Sequence, residues 1–372
     1  MLLPTPRAPP PGHDPRRPPL APQTLPGLDV ARLDGWLRTH RPDLAGDGPL
    51  AATLLTGGRS NLTYRVDGAR VPLVLRRPPL HHVQATAHDM AREHRVLTAL
   101  GPTPVPVPGT HVLVDDTDGA AGTGTAFFLM DRVDGEALGT RAHNAHRTPA
   151  ALRTVSLTLA ALLAELHLVD ADAAGLGDLG RADGFLDRQV HRWGVQLDGS
   201  RSRAVPALDD LQDRLRERVP TTWRAAVVHG DYRLDNVLVA GTDEPRVTAV
   251  LDWEMATLGD AAVDLGMLGL YWELGRVAGD DPTVSAVDPG AGYPPFDELV
   301  DAYAQRLGAP PPDLGWYRAF AAYKLAVILE GVHFRYRAGG TVGDGFERIG
   351  GLVDPLAREG LALLAARTTG RG

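Results

Sequence analysis

One stretch of the chain combines residue types at a spacing that suits phosphoryl transfer. It runs from Val228 to Leu238 and has the form H-x-D-x-x-x-x-N, with His229, Asp231 and Asn236 at the fixed positions. In such a motif the aspartate orients an attacking hydroxyl and accepts its proton, and the asparagine supplies an amide oxygen to Mg²⁺. The spacing therefore predicts a catalytic loop between two short apolar β-type runs.

A second acid follows this motif at close range. Val247–Leu251 reads as a β-strand, and Asp252 stands directly after it. An aspartate at a strand end can bind Mg²⁺ and bridge it to phosphates, and oxygen atoms are the ligands that Mg²⁺ prefers. Local loop capping would explain H-x-D alone, but it does not explain the whole motif. We predict that Asp231, Asn236 and Asp252 are catalytic, and that Asn236 and Asp252 hold the metal.

The elements that must position these residues change in character along the chain. Met1–Pro26 holds 10 of the 31 prolines and has little apolar surface, which predicts a disordered tail over residues 1–27. Residues 28–133 read mainly as strands, and residues 134–372 read mainly as helices. The helices expected from apolar periodicity are Thr86–Leu100, Leu152–Val169, Phe185–Leu197, Leu208–Val219, Ala261–Trp272, Phe296–Leu307, Leu314–Tyr336 and Leu352–Ala366.

Composition excludes several classes of function. The net charge of −8 without basic blocks argues against nucleic acid as the main partner. The chain has no cysteine, which excludes disulfides, thiolate metal sites and a cysteine nucleophile. We expect no segment that is apolar enough to span a membrane, and we expect a cytoplasmic protein.

These motifs resemble those of the aminoglycoside phosphotransferase-like branch of the protein-kinase-like fold. Within it the chain is similar to phosphotransferases related to the N-terminal kinase-like domains of certain acyl-CoA dehydrogenases. The similarity extends over nearly the whole chain from about residue 28. The stretches that carry it are Gly57–Tyr64, Val74–Pro79, His229–Asn236, Leu251–Glu254 and Leu258–Leu265.

The resemblance implies an α+β fold of two lobes and a reaction that uses ATP and Mg²⁺. The first lobe, residues 28–133, would be a small antiparallel sheet with a helix that binds the nucleotide. The second, residues 134–372, would be a larger helical lobe with the catalytic loop and the acceptor site. GTP as the donor stays open.

The resemblance also implies which residues of the first lobe bind the nucleotide. Gly58, Ser60 and Asn61 lie in a strand-turn-strand whose backbone N–H groups can cradle phosphates, although an ordinary hairpin turn has the same pattern. The strand position that usually holds a kinase lysine is Arg76 here, with Glu93 as its expected partner on the following helix.

Alternation along the strand would place Arg77, the competing arginine, on the opposite face. Adenine would bind the backbone C=O of Asp131 and the N–H of Val133, with Met130 behind it. Asp264 resembles the family residue that braces the catalytic loop by accepting backbone N–H bonds. Two roles stay open for Glu254: a contact with a second metal ion or the substrate, and a position facing solvent.

The acceptor is predicted only as a small hydroxylated molecule. Arg318, Lys324, Arg335 and Arg337 make the region of the Leu314–Tyr336 helix basic, which disfavours a polycationic acceptor. The kinship favours a hydroxy acid or a hydroxyacyl thioester. An aminoglycoside kinase, and a nucleotide-binding pseudokinase that regulates a partner, are the alternatives. Lys324 is the chain's single lysine, read either as an acceptor-side residue or as one that reaches solvent. The oligomeric state is open.

Overall fold

A computed structural model describes residues 24–55, 61–80, 89–279, 285–338 and 346–369. The strands are β1 Thr24–Leu25, β2 Leu28–Asp29, β3 Ala51–Leu54, β4 Leu62–Asp67, β5 Leu73–Arg77, β6 Thr110–Val114, β7 Phe127–Asp131, β8 Glu136–Ala137, β9 Ala225–Val228, β10 Val237–Ala240, β11 Arg246–Val250 and β12 Thr257–Asp260. The α-helices are α1 Val30–His40, α2 Met90–Leu100, α3 Arg141–Asn144, α4 Pro149–Leu168, α5 Phe185–Ser200, α6 Pro206–Glu217, α7 Ala262–Trp272, α8 Leu274–Ala278, α9 Phe296–Leu307, α10 Gly315–Arg337, α11 Phe346–Ile349 and α12 Val353–Thr369.

The chain divides into two compact units. The first contains Met1–His82 and Val114–Phe127, and the second contains Val83–Leu113 and Phe128–Gly372. The expected lobe boundary after Val133 stays a prediction. Most of the tail expected at residues 1–27 lies outside the described residues, and its last part contains β1, which pairs antiparallel with β2.

The first unit is built on an antiparallel sheet. Strand β4 pairs with β3 on one side and with β5 on the other. Tyr64 on β4 is fully buried, and its hydroxyl donates to the carbonyl of Pro26. Helix α1 begins after Asp29, whose carboxylate accepts the N–H bonds of Ala31 and Arg32 at 3.1 Å each. This side chain satisfies donors that have no partner within the helix.

The second unit is mostly helical and holds the elements around the predicted catalytic loop. Strand β9 precedes this loop and pairs antiparallel with β12, while β10 follows the loop and pairs with β11 and β8. Helix α10 packs against α7 and α12, and α4 packs against α9. The aromatic residues Trp316, Phe320 and Tyr323 of α10 are buried in the core, whereas Phe334 is exposed.

One predicted helix starts elsewhere in the structure, and two elements of the structure have no counterpart in the sequence analysis. Helix α2 begins at Met90 because Asp89 has extended backbone angles and caps it, so the expected start at Thr86 is wrong. Helix α8, Leu274–Ala278, has no counterpart among the helices expected from apolar periodicity. Strand β12 has no sequence signal, since it contains Gly259 and Asp260; pairing with β9 makes it a strand.

Helix α4 is the one helix, within the described ranges, that is long and apolar enough to cross a membrane by length and composition. The expectation that no segment meets this test is therefore wrong for α4. In the fold, 56% of the tested stretch is buried. A core helix of a globular protein passes the same test, and the packing of α4 against α9 agrees with that role.

Candidate active site

The predicted catalytic loop connects β9 to β10 and is held together by its own asparagine. The side-chain nitrogen of Asn236 donates to the backbone carbonyl of Asp231 at 2.8 Å and to its carboxylate at 3.2 Å. The structure thus brings two of the predicted catalytic residues into direct contact. Because the amide nitrogen is used within the loop, the amide oxygen of Asn236 is the atom suited to bind a metal.

Gly230 gives the loop a turn that another residue would not adopt without strain. Its φ is +85°, in the left-handed region that glycine enters without a steric penalty. A Cβ atom at this position would lie 2.9 Å from the backbone oxygen of Met255. Both the backbone angle and the close approach therefore require glycine directly before Asp231.

Asp264, at the start of α7, braces the loop as the resemblance implied. Its carboxylate accepts the backbone N–H of His229 at 2.6 Å and that of Gly230 at 2.8 Å. The Nε2 atom of His167 lies 3.4 Å from the same carboxylate, and its Nδ1 lies 2.8 Å from the hydroxyl of Tyr303. Burial alone would raise the pKa of Asp264, but the hydrogen bond from His167 and the backbone N–H bond from His229 are among the interactions that outweigh it and lower that pKa.

His229 stabilises the loop through both ring nitrogens. Its Nδ1 accepts the N–H of Asp231 at 3.2 Å, and its Nε2 lies 2.8 Å from the carbonyl of Leu251. A backbone N–H can only donate and a carbonyl can only accept, so the ring is neutral with its proton on Nε2. The ring is buried beside Trp253. His229 therefore holds the loop through hydrogen bonds, and the role of Asp231 as the base stays a prediction.

Asp252 lies beside this loop because of a backbone contact. The N–H of Leu251 donates to the carbonyl of Asn236 at 2.8 Å, so the residue after Leu251 is next to the asparagine. Asp252 has φ +66° and ψ +62° and is the one non-glycine residue with positive φ in the described part of the chain. The left-handed backbone conformation costs free energy for a residue with a side chain. Such strain concentrates at functional sites.

The donor set of Asn236 and Asp252 fits Mg²⁺. It offers one amide oxygen and one carboxylate, which are hard ligands. Within the described ranges no cluster of three or more His, Cys, Asp or Glu side chains could hold a metal. Mg²⁺ in phosphotransferases is usually held by one or two carboxylates together with substrate phosphates and water, so the small protein ligand set agrees with that use.

Arg233 is a site residue that the sequence analysis did not identify. Its Nε lies 3.2 Å from the carboxylate of Asp231, its Nη1 lies 2.7 Å from that of Asp235, and its guanidinium lies 4.8 Å from the ring centre of Tyr271. Burial would lower the pKa of Arg233, but its surroundings, including Asp231, Asp235 and Asp252, raise it. The available signal was an arginine two residues after the base, inside the specific motif.

A small cavity adjoins this arginine. Its volume is about 20 Å³, and its lining includes Arg233, Asp235, Tyr271, Trp272 and Ser285. The lining thus combines one cation, one anion, a phenol, an indole and a hydroxyl. Such a mixture offers both apolar contact and hydrogen bonds to a small polar molecule.

Lys324 on α10 points into the catalytic loop. Its side chain is buried, with 5% of the residue exposed, and its Nζ donates to the carbonyl of Gly230. The expectation that it reaches solvent is therefore wrong. Burial lowers the pKa of Lys324, and the negative charges of Asp231 and Asp264 act in the opposite direction.

The other basic residues of the C-terminal region do not form an acceptor surface. Arg318 pairs with Glu273 at 2.6 Å, and Arg335 and Arg337 are exposed near the end of α10. Lys324 is buried against the loop, so these four groups lie in different surroundings. The charge argument against a polycationic acceptor is therefore not supported by their positions.

The residues predicted to bind the nucleotide are only partly described. Gly58 and Ser60 lie outside the described residues, and Asn61 is buried directly before β4. Glu93 is buried on α2. Met130 is buried on β7, and the Asp131 carboxylate lies 2.7 Å from His111. Val133 follows β7 and is partly exposed. Their roles towards a nucleotide stay predictions.

The two arginines of β5 face different surroundings. Arg76 donates to the hydroxyl of Thr63 on β4 at 3.4 Å. Arg77 donates to the backbone carbonyls of Gly27 and Thr123, the second at 3.1 Å. Because the guanidinium of Arg77 already donates hydrogen bonds to backbone carbonyls of the first unit, Arg76 is the better candidate to bind phosphate. Its pairing with Glu93 stays a prediction.

Comparisons with known proteins agree with this geometry. The family model described as phosphotransferase enzyme family matches residues 51–320. The chain is 32% identical over 341 residues to acyl-CoA dehydrogenase family member 11 of Rattus norvegicus, an alignment that covers 90% of this chain and 43% of that protein. The chain thus spans less than half the length of this relative.

Solved structures show the same fold. A crystal structure from Ralstonia eutropha, described as that of a candidate aminoglycoside phosphotransferase, superposes with a TM-score of 0.76 at 32% identity and covers 91% of this chain and 99% of that one. The aminoglycoside phosphotransferase APH(4)-Ia, in a ternary complex with AMP-PNP and hygromycin B, superposes with a TM-score of 0.55 at 15% identity and covers 88% and 98%. The fold is the protein-kinase-like α+β fold, with a small antiparallel-sheet lobe and a larger helical lobe, as predicted.

Proposed function

Since the chain belongs to the phosphotransferase enzyme family, we propose that it is a Mg²⁺- and ATP-dependent kinase of a small hydroxylated molecule. The observation that supports this most strongly is the contact between Asp231 and Asn236, with Asp252 brought beside them by the Leu251–Asn236 backbone bond. Asp231, Asn236 and Asp252 are the residue types that phosphoryl transfer uses for the base and the metal ligands.

In this proposal the chain's own residues orient the acceptor and move one proton. Asp231 accepts a hydrogen bond from the acceptor hydroxyl and takes its proton as the oxygen attacks. Arg233 and Asn236 keep the Asp231 carboxylate in one orientation. Bound Mg-ATP would supply the transferred phosphoryl group and neutralise part of its charge, with Asn236 and Asp252 as the protein ligands.

The nucleotide would contact the first lobe and the strand that follows it. Backbone N–H groups near Gly58, Ser60 and Asn61 would bind phosphate oxygens, and Arg76 would do so with two parallel hydrogen bonds, oriented by Glu93. The backbone of Asp131 and Val133 would bind the base, with Met130 behind it. Arginine differs from lysine in reach and geometry, but it keeps the charge that phosphate binding needs.

The acceptor class has two candidates, each with its own support. A hydroxy acid or a hydroxyacyl thioester is proposed by analogy alone, from the kinship with acyl-CoA dehydrogenase family members. Similarity to a candidate aminoglycoside phosphotransferase favours an aminoglycoside. The lining of the small cavity beside Arg233 includes both an arginine and an aspartate, so its charges favour neither class. An acceptor screen must therefore contain both classes.

The test is transfer of ³²P from [γ-³²P]ATP to pooled hydroxylated metabolites, aminoglycosides and hydroxyacyl thioesters in the presence of Mg²⁺. We expect a labelled product that is lost in Asp252→Ala and kept in Asp210→Asn, which changes only a surface pair with Arg214. A parallel reaction with GTP defines the donor. A thermal shift with Mg-ATP but no product from any pool would instead support the pseudokinase alternative, and product formation by Asp252→Ala would contradict the proposal.

A further inference from the structure

We propose that Lys324 is a positioning residue of the phosphotransfer: its buried ammonium fixes the Gly230–Asp231 peptide and thereby the direction of the Asp231 carboxylate. The inference rests on the proposed function for its effect on catalysis, but the positioning itself is a property of the free protein. It makes the chain's single lysine part of the support of the catalytic loop.

The contacts of Lys324 join four separate parts of the second unit. From α10 its Nζ donates to the carbonyl of Gly230 in the catalytic loop. The same atom lies 3.7 Å from the sulfur of Met255, in the turn after Asp252, and 5.3 Å from the ring centre of Trp193 on α5. One ammonium thus contacts the loop that carries the base, the turn beside the predicted metal ligand and a core helix.

Lys324 and Asp264 both hydrogen-bond to Gly230, one at its carbonyl and the other at its N–H. The N–H of Gly230 donates to the Asp264 carboxylate at 2.8 Å, and the carbonyl of Gly230 accepts from Lys324. The next N–H, that of Asp231, donates to the imidazole of His229 at 3.2 Å. The buried anion on α7 therefore holds the peptide plane between His229 and Gly230, and the buried cation on α10, together with the His229 ring, holds the next plane, which precedes Asp231.

The placement of this cation is costly, and packing alone does not explain it. Taking an ammonium out of water without an ion pair is strongly unfavourable. Within the described ranges no carboxylate lies within the 4 Å of a salt bridge from the Lys324 Nζ, and Asp231 and Asp264 act on it only from a longer distance. A buried charge beside a catalytic carboxylate is a recurring feature of functional sites.

The residue type supports the same conclusion. Lys324 is the one lysine among 38 lysine and arginine residues, so the chain uses arginine at every other basic position. Lysine ends in a compact ammonium with three donors, whereas arginine ends in a planar fork that is wider. The space between Met255, Trp193 and the Gly230 carbonyl favours the compact group.

The experiment compares Lys324→Met, which keeps the length of the side chain but removes its charge, with Lys324→Arg and with a matched control. The control is Glu330→Gln on the same helix; Glu330 is equally buried and pairs with Arg203 and Ser202, not with the catalytic loop. Amide hydrogen exchange of the full chain without ligand is measured for the peptide that spans Gly230 and Asp231. We expect exchange about 10-fold faster or more in Lys324→Met, wild-type exchange in Glu330→Gln and an intermediate value in Lys324→Arg.

Release of ³²P phosphate from Mg-[γ-³²P]ATP, with water as the acceptor, gives the catalytic readout. We expect Lys324→Met to lower kcat by about 10- to 100-fold, with the KM for ATP changed by less than about 2-fold, because a misdirected base affects the transition state and not nucleotide binding. Because Lys324 acts through Asp231, adding Lys324→Met to Asp231→Asn should lower kcat no further.

Two outcomes separate this inference from the proposed function. Wild-type exchange at Gly230–Asp231 in a Lys324→Met protein that is folded like the Glu330→Gln control overturns the positioning role, whatever the activity. Faster exchange in Lys324→Met together with unchanged phosphate release by Asp231→Asn would support the positioning role and contradict the proposed function.

Discussion

Asn236 donates its side-chain amide to both the backbone carbonyl and the carboxylate of Asp231, at 2.8 and 3.2 Å. The asparagine of the motif therefore has a structural task beside its predicted metal contact. An aspartate could replace its oxygen as a ligand but not its two donated hydrogen bonds. This difference allows the two tasks to be separated by a single substitution.

We expect Asn236→Asp to keep an oxygen ligand and still lose activity. The new carboxylate would stand at hydrogen-bond distance from that of Asp231, where like charges disfavour ionisation of both. Transfer should fall by about 100-fold or more, since a general base contributes typically 10²–10⁴-fold. Loss of the amide donor should lower the free energy of unfolding by about 1–3 kcal/mol. Chemical denaturation checks the stability, and transfer rates above 10% of wild type would contradict the expectation.

Two substitutions of Asp252 test the strain at its left-handed backbone. Both Asp252→Gly and Asp252→Ala remove the carboxylate, so both should abolish transfer. Only alanine pays the steric penalty of φ +66°, which is about 1–2 kcal/mol for a residue with a Cβ. Denaturant unfolding should therefore find the glycine variant more stable by about 1 kcal/mol. Equal stability of the two variants would mean that the left-handed conformation does not persist in solution.

The pKa of Asp264 predicts a defined pH dependence of stability. The folded-state pKa of Asp264 lies below the ordinary value of 3.8. The ionised carboxylate therefore stabilises the fold fully above that value, and this contribution is lost as the pH falls through the folded pKa. Near neutral pH the free energy of unfolding of Asp264→Asn should be about 3 kcal/mol lower than that of the wild type, because the substitution breaks a buried hydrogen-bond network.

Denaturant titrations of both proteins from pH 7 down to pH 3 check this expectation. The difference between wild type and Asp264→Asn should be constant above about pH 5 and should shrink below pH 3.8. A difference that stays constant to pH 3 would contradict the lowered pKa.

Gly230→Ala should disturb the loop locally. A Cβ atom would lie 2.9 Å from the backbone oxygen of Met255 at a φ of +85°, so the loop must move. We expect a loss of about 1–3 kcal/mol in the free energy of unfolding and a loss of transfer greater than that in the control Gly199→Ala, whose Cβ would meet no atom within 4 Å. Equal transfer by the two glycine variants would show that the turn at Gly230 has no role in positioning Asp231.

The sequence predicts the loop well because its residues are contiguous. His229, Asp231 and Asn236 lie within eight positions, and flanking apolar runs locate them between strands. Asp252 was found for the same reason, since it ends a recognisable strand. Most helices were also placed to within a few residues, because their apolar periodicity reflects the face that each one buries.

What the sequence could not show are contacts between distant segments. Lys324 is 94 residues from Gly230, and no spacing rule connects a helix residue to a loop carbonyl at that separation. Strand β12 exists because β9 pairs with it, not because of its own residue preferences. Arg233 lies inside the motif, but the sequence does not predict its contacts with Asp231 and Asp235, because they depend on the fold of the loop.

The most direct test of the account is transfer from [γ-³²P]ATP by Asp231→Asn, beside Mg-ATP binding by the same protein. The amide keeps the size of the side chain but cannot accept the proton of the acceptor hydroxyl. We predict that Asp231→Asn shows a wild-type thermal shift with Mg-ATP and a transfer rate lowered by about 100-fold or more. Wild-type transfer by a folded, nucleotide-binding Asp231→Asn protein would contradict the account.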